Sequence, residues 1–304
     1  MDGCRRMKTE TDILNYFDDI IENHPETTPA LAAVKTLIEI VKNGEATTLK
    51  ELRESLTKAE EILDKRDQSG TSLKSACQLY LRFITFTSLD QEEFKTKLVE
   101  RGELFLEKVA KSQTKISKLC SPFLCDGTTI LTHSRSRVVF KVLKDAANEK
   151  KRFNVFVAES QPDKSGHKLV KELKDYGIPA QVILDAAVSS VMPDVDLVLI
   201  GAESVVESGG IINKIGTFNI ALAAKAFNKP VYVVVEFFKF ARFFPLSQKD
   251  LPKKFQYHAS LDKDLNSKHP VVDYTPPLYI SMLFTDLGIL LPSAVSDELI
   301  KLYC

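Results

Sequence analysis

The sequence predicts an α/β protein in which a helical N-terminal domain precedes a Rossmann-like domain built on a parallel sheet. From Thr11 to about Cys120, apolar residues recur at the three- and four-residue spacing that is typical of amphipathic helices. After Gly127, short β-branched runs alternate with helical segments, which indicates a parallel sheet with crossover helices. A chain of 304 residues is also longer than most single domains. We therefore predict one domain over residues 1–125 and a second over residues 126–304.

The helices of the first domain follow from the apolar repeat and from its interruptions. The apolar repeat marks three helices around residues 13–21, 31–41 and 49–63, and two more are predicted at Leu73–Ser88 and Glu92–Leu119. Gly44 supplies a stop after the second helix, and Thr47 or Thr48 can cap the third. The charged residues of the last helix are expected to form its solvated face.

The strands of the second domain are short and almost continuously apolar. They are predicted at Thr129–Thr132, Asn154–Ala158, Ala180–Leu184, Leu197–Ile200 and Val231–Val235, with helices at Arg137–Asn148, Ser165–Tyr176 and Ile215–Phe227. Such strands are typical of a parallel sheet that is covered on both faces. Because these sheets bind ligands beyond the carboxyl ends of their strands, we expect the function to lie in the turns that follow them.

Composition and charge exclude several classes of function. The 41 basic and 41 acidic side chains balance, which argues against binding to nucleic acid through its phosphates. No apolar run approaches the roughly 20 residues of a membrane span, and the N-terminus lacks the apolar stretch of a secretory signal. The five cysteines are scattered and odd in number, so we predict reduced thiols in a cytoplasmic protein, with no metal and no cofactor.

The turn after the first strand of the sheet carries two hydroxyls and two guanidinium groups. It reads Thr-His-Ser-Arg-Ser-Arg from Thr132 to Arg137 and leads directly into a helix. Free N–H groups at a helix start favour an anion, so Ser134 and Arg135 are candidates for phosphate binding. The alternative is that Ser134 or Ser136 only caps the helix while the arginines face solvent. The turn lacks the glycines of a dinucleotide site, and the chain has no Walker-type nucleotide loop.

A second group of polar residues follows the fourth strand. Glu203 comes after Gly201, whose lack of a side chain permits close approach of the backbone, and Asn213 and Lys214 follow a Gly-Gly turn. A carboxylate, an amide and an ammonium group that meet in one crevice suit a polyhydroxylated, phosphorylated ligand. The alternative is a glycine-rich turn with an ordinary helix cap.

Several ordered motifs resemble a known family. They read ERGELFL, DGTTILTH, ESQPDKSG, GGIINKIGT and, near the C-terminus, VDYTPP followed by LFTDLGILLPSAVSDELIKLY. In this combination the chain closely resembles the alpha-type subunits of translation initiation factor 2B, in the family that also contains methylthioribose-1-phosphate isomerase and ribose-1,5-bisphosphate isomerase. The resemblance covers nearly the whole chain. It implies a helical domain, a Rossmann-like domain, and dimerisation through the latter.

The same resemblance implies a regulatory role without catalysis. It implies a homodimer that bridges beta, gamma, delta and epsilon subunits of initiation factor 2B, an assembly that exchanges guanine nucleotide on initiation factor 2. The chain would help this assembly to sense the phosphorylated alpha chain of initiation factor 2. The alternatives are an active aldose–ketose isomerase of sugar phosphates and a free-standing metabolite sensor.

The site residues implied by the family are partly kept and partly changed. The family's isomerases carry a cysteine and an aspartate where this chain has Ser134 and Glu203, and Gln161 replaces an arginine. A hydroxyl is far from ionising at neutral pH, and His133 is not an obvious base for Ser134, since neighbours in a strand point to opposite faces. We therefore predict a sugar phosphate that is bound but not turned over, and no catalytic residue. The predicted binding residues are Arg82, Ser134, Arg135, Glu203, Asn213 and Lys214.

Two C-terminal segments are too apolar for an ordinary surface. The aromatic run Phe237–Leu246 belongs either to the core or to a partner surface, and dimerisation in the family favours the partner surface. The tail from Ser293 to Cys304 is expected to pack as a helix rather than extend into solvent.

Overall fold

The computed structural model describes residues 9–24, 27–44, 46, 48–66, 72–85, 94–251 and 270–303. The chain divides into two compact units, one running to Ala110 and including the chain end from Leu302, the other running from Lys111 to Lys301. This division lies within one long helix. The predicted boundary at residues 125 and 126 lies instead where helices give way to strands.

The first unit is helical, and its helices begin where the sequence provides caps. Thr9 forms a capping box with Asp12, and Thr28 caps the second helix just before Pro29. Thr48 accepts a hydrogen bond from the N–H of Glu51, whereas Thr47 lies outside the described residues. The helices are α1 (Glu10–Asn23), α2 (Pro29–Asn43), α3 (Leu49–Arg66), α4 (Ser72–Thr85) and α5 (Phe94–Cys120), which continues into the second unit.

The apolar stripes of these helices form the core of the first unit. Helix α2 packs on α1, α3 and α4. Val34, Leu37 and Val41 of α2 are completely buried, in agreement with the predicted apolar repeat. The predicted ends at residues 86–88 and 92–93 lie outside the described residues.

The second unit contains the predicted parallel sheet. Its strands are β1 (Thr128–His133), β2 (Phe153–Ala158), β3 (Ala180–Ile183), β4 (Leu197–Gly201), β7 (Val231–Val234), β10 (Met282–Thr285) and β11 (Gly288–Leu290). Within the described residues their order is β11-β10-β7-β4-β1-β2-β3, and only the edge strand β11 runs antiparallel to its neighbour. The predicted fold class is therefore confirmed.

Helices pack on this sheet and complete its core. Helices α6 (Arg137–Asn148) and α7 (Ser165–Asp175) pack on its strands, and α8 (Val188–Val191), α9 (Thr217–Ala226) and α10 (Val295–Tyr303) follow along the chain. Val139 and Leu143 of α6 and Leu169 and Leu173 of α7 are fully buried in the same apolar cluster as Ile130 of β1. No helix in the described ranges is long and apolar enough to cross a membrane.

A smaller sheet was not predicted from the sequence. It consists of β5 (Ser204–Val206), β6 (Ile211–Lys214), β8 (Phe240–Ala241) and β9 (Val272–Thr275) in the order β8-β5-β6-β9. Asn213 and Lys214 thus lie in a strand rather than in the loop expected before α9. The strand forms because β6 pairs with both β5 and the distant β9. The five residues between Gly210 and Gly216 give no sign of these strand partners in the sequence.

The two apolar C-terminal segments behave differently. Phe237, Phe238 and Phe240 are buried, whereas Phe244 is 57% exposed and Leu246 is 81% exposed. The aromatic run therefore contributes to the core at its start and leaves a surface at its end. The tail is packed, because α10 buries Val295 and Leu299, and only Cys304 of the segment lies outside the described residues.

Candidate functional site

The site lies where the carboxyl ends of neighbouring strands meet. His133 ends β1 opposite Ala158 of β2, and Ser134 then turns the chain out of the strand with a positive φ of 61°. The N–H of Ser134 donates to the carbonyl of Ala158 at 3.1 Å. At the end of β4, a Cβ on Gly201 would lie 2.5 Å from Oγ of Ser136, so only glycine allows this close approach. Ser136 caps α6 by accepting from the N–H of Val139.

Ser134 belongs to a chain of hydroxyl groups that ends on a carboxylate. Its Oγ lies 2.7 Å from Oγ of Ser165, and Oγ of Ser165 donates to Oδ1 of Asp163 at 2.9 Å. Because the proton of Ser165 is used in this way, Ser134 donates to Ser165. Lys214 also donates to Oγ of Ser165 at 3.1 Å and forms an ion pair with Asp163. Two of the predicted residues, Ser134 and Lys214, are thus brought together through Ser165.

The charge state of Asp163 follows from these contacts. Burial raises its pKa, but the hydrogen bonds from Lys214 and Ser165 outweigh burial and hold the pKa below the ordinary value. Asp163 is therefore ionised at neutral pH and is a weak base. The hydroxyl chain offers Ser134 no strong proton acceptor.

His133 and Asn213 meet at Thr217, the first residue of α9. Oγ1 of Thr217 donates to the carbonyl of Lys214 at 2.7 Å and accepts from Nδ2 of Asn213 at 3.0 Å. Nδ1 of His133 lies 3.2 Å from the same oxygen, so Nδ1 carries the proton and donates. This arrangement fixes the orientation of the Asn213 amide and separates His133 from Ser134, in agreement with the expectation that they are not partners.

The other ring nitrogen of His133 is unsatisfied. The side chain is completely buried, and Nε2 has no hydrogen-bond partner in the described part of the chain. Oδ1 of Asp185 lies 4.0 Å from it. Burial lowers the pKa of His133 to about 4 although Asp185 opposes the shift, so the ring is neutral at neutral pH. Nε2 therefore presents a lone pair.

The two predicted arginines are occupied elsewhere. Nε of Arg135 donates to both carboxylate oxygens of Glu172 on α7 at 2.9 Å. Arg82 lies near the end of α4 in the first unit, where its guanidinium group is 5.9 Å from the centre of the Tyr303 ring. Their roles in ligand binding stay predictions.

Glu203 lies beside a buried ion pair. Its N–H donates to the carbonyl of Ile212, which ties the end of β4 to β6. Lys239 donates to the carbonyl of Ala202 at 3.0 Å and lies 3.3 Å from the carboxylate of Glu236. Burial would lower the pKa of Lys239, but Glu236 and Glu203 hold it above the ordinary value. Lys239 is therefore charged and compensates the two carboxylates.

Asp273 anchors the segment that follows Lys214. It lies opposite Asn213 in the β6–β9 pair, and its Oδ2 accepts from the N–H groups of Gly216 at 2.8 Å and Phe218 at 3.0 Å. Its other oxygen is buried without a hydrogen-bond partner among the described residues. Burial raises the pKa of Asp273 to about 7 against these backbone donors.

Sequence reasoning missed several residues of this region. Asp163 and Ser165 occur in ESQPDKSG, which contributed only to the family resemblance, and Thr217 follows the Asn-Lys pair by three residues. Glu236 and Lys239 are three positions apart at the start of the aromatic run. Two opposite charges in so apolar a segment could have been predicted to form a buried ion pair.

Comparison with curated proteins gives relatives of similar length. The chain is 44% identical to "Translation initiation factor eIF2B subunit alpha" of Dictyostelium discoideum, covering 96% of this chain and 97% of that protein. It is 42% identical to the protein of the same name from Caenorhabditis elegans, covering 96% and 98%. It is 29% identical to "Ribose 1,5-bisphosphate isomerase" of Methanocaldococcus jannaschii, covering 86% and 85%. The resemblance inferred from the motifs is confirmed.

Solved structures agree with this result. The chain matches the Pyrococcus horikoshii OT3 translation initiation factor eIF-2B with a TM-score of 0.76 and 25% identity, covering 92% of this chain and 97% of that one. A chain of the tetrameric eIF2B-beta2-delta2 complex from Chaetomium thermophilum matches in fold, with a TM-score of 0.79, 19% identity and coverage of 97% and 96%. The sequence profile described as "Initiation factor 2 subunit family" matches residues 22–292. The chain therefore belongs to the initiation factor 2 subunit family.

Proposed function

We propose that this chain is a regulatory, non-catalytic alpha-type subunit of the guanine-nucleotide exchange factor for translation initiation factor 2. It acts in the cytoplasm as a homodimer that joins beta, gamma, delta and epsilon subunits. In this assembly it helps to sense the phosphorylated alpha chain of initiation factor 2. Its pocket at the strand ends binds a sugar phosphate without converting it.

The observation that carries the proposal is identity along the whole chain. Two proteins named as alpha subunits, from an amoeba and a nematode, are 44% and 42% identical over 96% of this chain. The isomerase relative is 29% identical over 86%. A sequence that is closer to the alpha subunits over both units supports their role rather than that of the enzymes.

The chemistry of the pocket supports binding without turnover. Moving a proton between two sugar carbons requires a base that reaches the substrate and whose pKa lies near neutrality. Asp273 has such a pKa, but it is buried and bound to two backbone N–H groups. Ser134 donates its proton toward Ser165, and the carboxylate beyond it, Asp163, has a lowered pKa. His133 is neutral but is bound to Thr217 rather than to Ser134. The polar groups therefore suit hydrogen bonding to hydroxyls and phosphate better than proton transfer.

Native mass spectrometry of the chain purified from its own cells tests the assembly. We expect a complex whose mass accounts for two copies of this chain together with beta, gamma, delta and epsilon subunits. Guanine-nucleotide release from initiation factor 2 should then respond to phosphorylation of its alpha chain only when this chain is present. Isolation of the chain without these partners, together with an unchanged response when it is omitted, would refute the regulatory role.

The ligand is tested by thermal melting with a hexose 6-phosphate, using hexose and inorganic phosphate as separate controls. A ligand at about 100 times its dissociation constant stabilises the folded chain by roughly 2.7 kcal/mol if the unfolded chain does not bind. Lys214→Ala should abolish most of this shift, because it removes a cation of the pocket. Lys225→Ala removes an exposed cation of α9 and is the matched control. Equal shifts in the wild type and Lys214→Ala would place the ligand elsewhere.

An active sugar-phosphate isomerase is the second candidate. The isomerase relatives favour it, and so does the retention of Asn213 and Lys214, which the family resemblance assigns to ligand contact. Incubation with an aldose phosphate should give no ketose phosphate over hours if the first proposal is right. Steady conversion that is lost in Ser134→Ala would show that the hydroxyl group is catalytic.

A further inference from the structure

We propose that Asp163 occupies the anion position of this pocket and thereby sets its affinity for phosphate. A phosphorylated ligand must displace the Asp163 carboxylate from Lys214 and Ser165 before its own oxygens can bind there. The inference rests on the sugar-phosphate site proposed above and identifies the residue that controls it.

The contacts of Asp163 are those of a bound anion. Its Oδ1 accepts from the N–H of Ser165 at 3.0 Å and from Oγ of Ser165 at 2.9 Å, and its Oδ2 pairs with the ammonium group of Lys214. A backbone N–H at a helix start, a hydroxyl and an ammonium group are the donors that commonly bind phosphate oxygens. Ser134 adjoins this set through Ser165. The carboxylate therefore fills a position built for an anion.

The carboxylate and a phosphate cannot share these donors. Ser165 has one hydroxyl proton and one backbone proton, and Asp163 uses both. Two anions that are placed against the same ammonium group also repel each other at close range. Binding of a phosphate oxygen to the Ser165 donors beside Lys214 therefore requires Asp163 to leave.

The local structure allows Asp163 to leave by side-chain rotation. Its side chain is 40% exposed, so displacement transfers the carboxylate to water rather than into the core. The backbone just before it is held independently, because Asp185 accepts from the N–H groups of Ser160 at 2.9 Å and Gln161 at 2.7 Å. The backbone before Asp163 can therefore keep its position while the Asp163 side chain rotates.

A second, separate observation points to a ligand beside these residues. Nε2 of His133 is buried and presents a lone pair, yet it has no donor among the described residues. His133 directly precedes Ser134, and its Nδ1 contacts Oγ1 of Thr217, which donates to the carbonyl of Lys214, so the ring lies beside the same residues. A buried nitrogen of this kind is normally satisfied, and a ligand hydroxyl provides the missing donor.

Isothermal titration of the full chain tests the proposal, with inorganic phosphate, a hexose 6-phosphate and the unphosphorylated hexose as probes. The variant is Asp163→Asn, which keeps the shape and removes the charge. Asp175→Asn removes an exposed carboxylate at the end of α7, the helix that begins two residues after Asp163, and is the control. Melting without ligand establishes that each variant is folded.

We expect Asp163→Asn to bind both phosphate probes about three- to tenfold more tightly than the wild type, in line with the loss of one partly exposed ion pair. Affinity for the hexose should not change, and Asp175→Asn should match the wild type. Binding by Asp163→Asn where the wild type shows none would support the same conclusion. Asp163→Glu, which keeps the charge, should remain within about twofold of the wild type.

The failures of the two proposals are distinguishable. Equal or weaker phosphate binding by folded Asp163→Asn, while the wild type binds and Lys214→Ala does not, would overturn the role of Asp163 and leave the sugar-phosphate site standing. No phosphate binding by the wild type or by any Asp163 variant would overturn both.

Discussion

Replacement of Asp273 by asparagine should remove a pH dependence from the stability of the C-terminal unit. Asp273 is a buried residue of β9, with one oxygen bound to two backbone N–H groups at the start of α9 and the other without a partner among the described residues. Burial raises its pKa from 3.8 to about 7. The folded state therefore holds a proton that the unfolded chain has already released at neutral pH.

The sign and size of the effect follow from this difference. Because the folded pKa is the higher one, the stabilisation by the proton is fully present below about pH 3.8 and is lost as the pH rises to about 7. A shift of about three units corresponds to about 4 kcal/mol over the whole range. Between about pH 5 and pH 8 the loss is about 2.5 kcal/mol, most of it below pH 7.

Urea unfolding followed by circular dichroism at several pH values between about 5 and 8 measures this loss. The useful quantity is the free energy of unfolding of the wild type minus that of Asp273→Asn. His133, whose pKa is lowered by burial, titrates in both proteins and cancels. We expect the difference to fall by about 2.5 kcal/mol as the pH rises. A difference that is constant with pH would show that Asp273 is ionised throughout and that the N-terminus of α9 stabilises its charge.

Three further changes test the packing of the chain. Gly166→Ala should lower the free energy of unfolding by about 1–3 kcal/mol, because the new Cβ would lie 2.6 Å from the carbonyl oxygen of Ala158. Urea unfolding measures this loss, and Lys168→Ala, which changes an exposed residue of the same helix, should be nearly neutral. The chain should sediment as a dimer at micromolar concentration. Leu246→Asp should weaken the dimer, because it places a charge on the exposed end of the aromatic run, where Leu246 is 81% exposed. A wild-type monomer would contradict this prediction. Deletion of residues 293–304 should lower the melting temperature by exposing the surface that α10 covers, and unchanged melting would contradict that role.

The sequence by itself determined the order of helices and strands. Apolar spacing identified the helical first unit and the alternating second unit, because burial of one helical face or of a whole strand leaves a local period. It also placed Ser134, Glu203 and Lys214 after apolar runs, and the rule that parallel sheets bind ligands at their carboxyl ends made these residues candidates. Both inferences depend only on residues that are close together in the chain.

The tertiary structure decided which of these groups meet. Lys214 and Asp163 are 51 positions apart, and Gln113 donates to Glu236 across 123 positions. The strand that holds Asn213 and Lys214 pairs on one side with the nearby β5 and on the other with the distant residues 272–275. Strand register and the cost of burying an unpaired charge select which distant residues pair. Neither produces a periodic pattern in the sequence. The motifs could therefore indicate candidate residues, but only the folded chain shows that Asp163 forms an ion pair with Lys214.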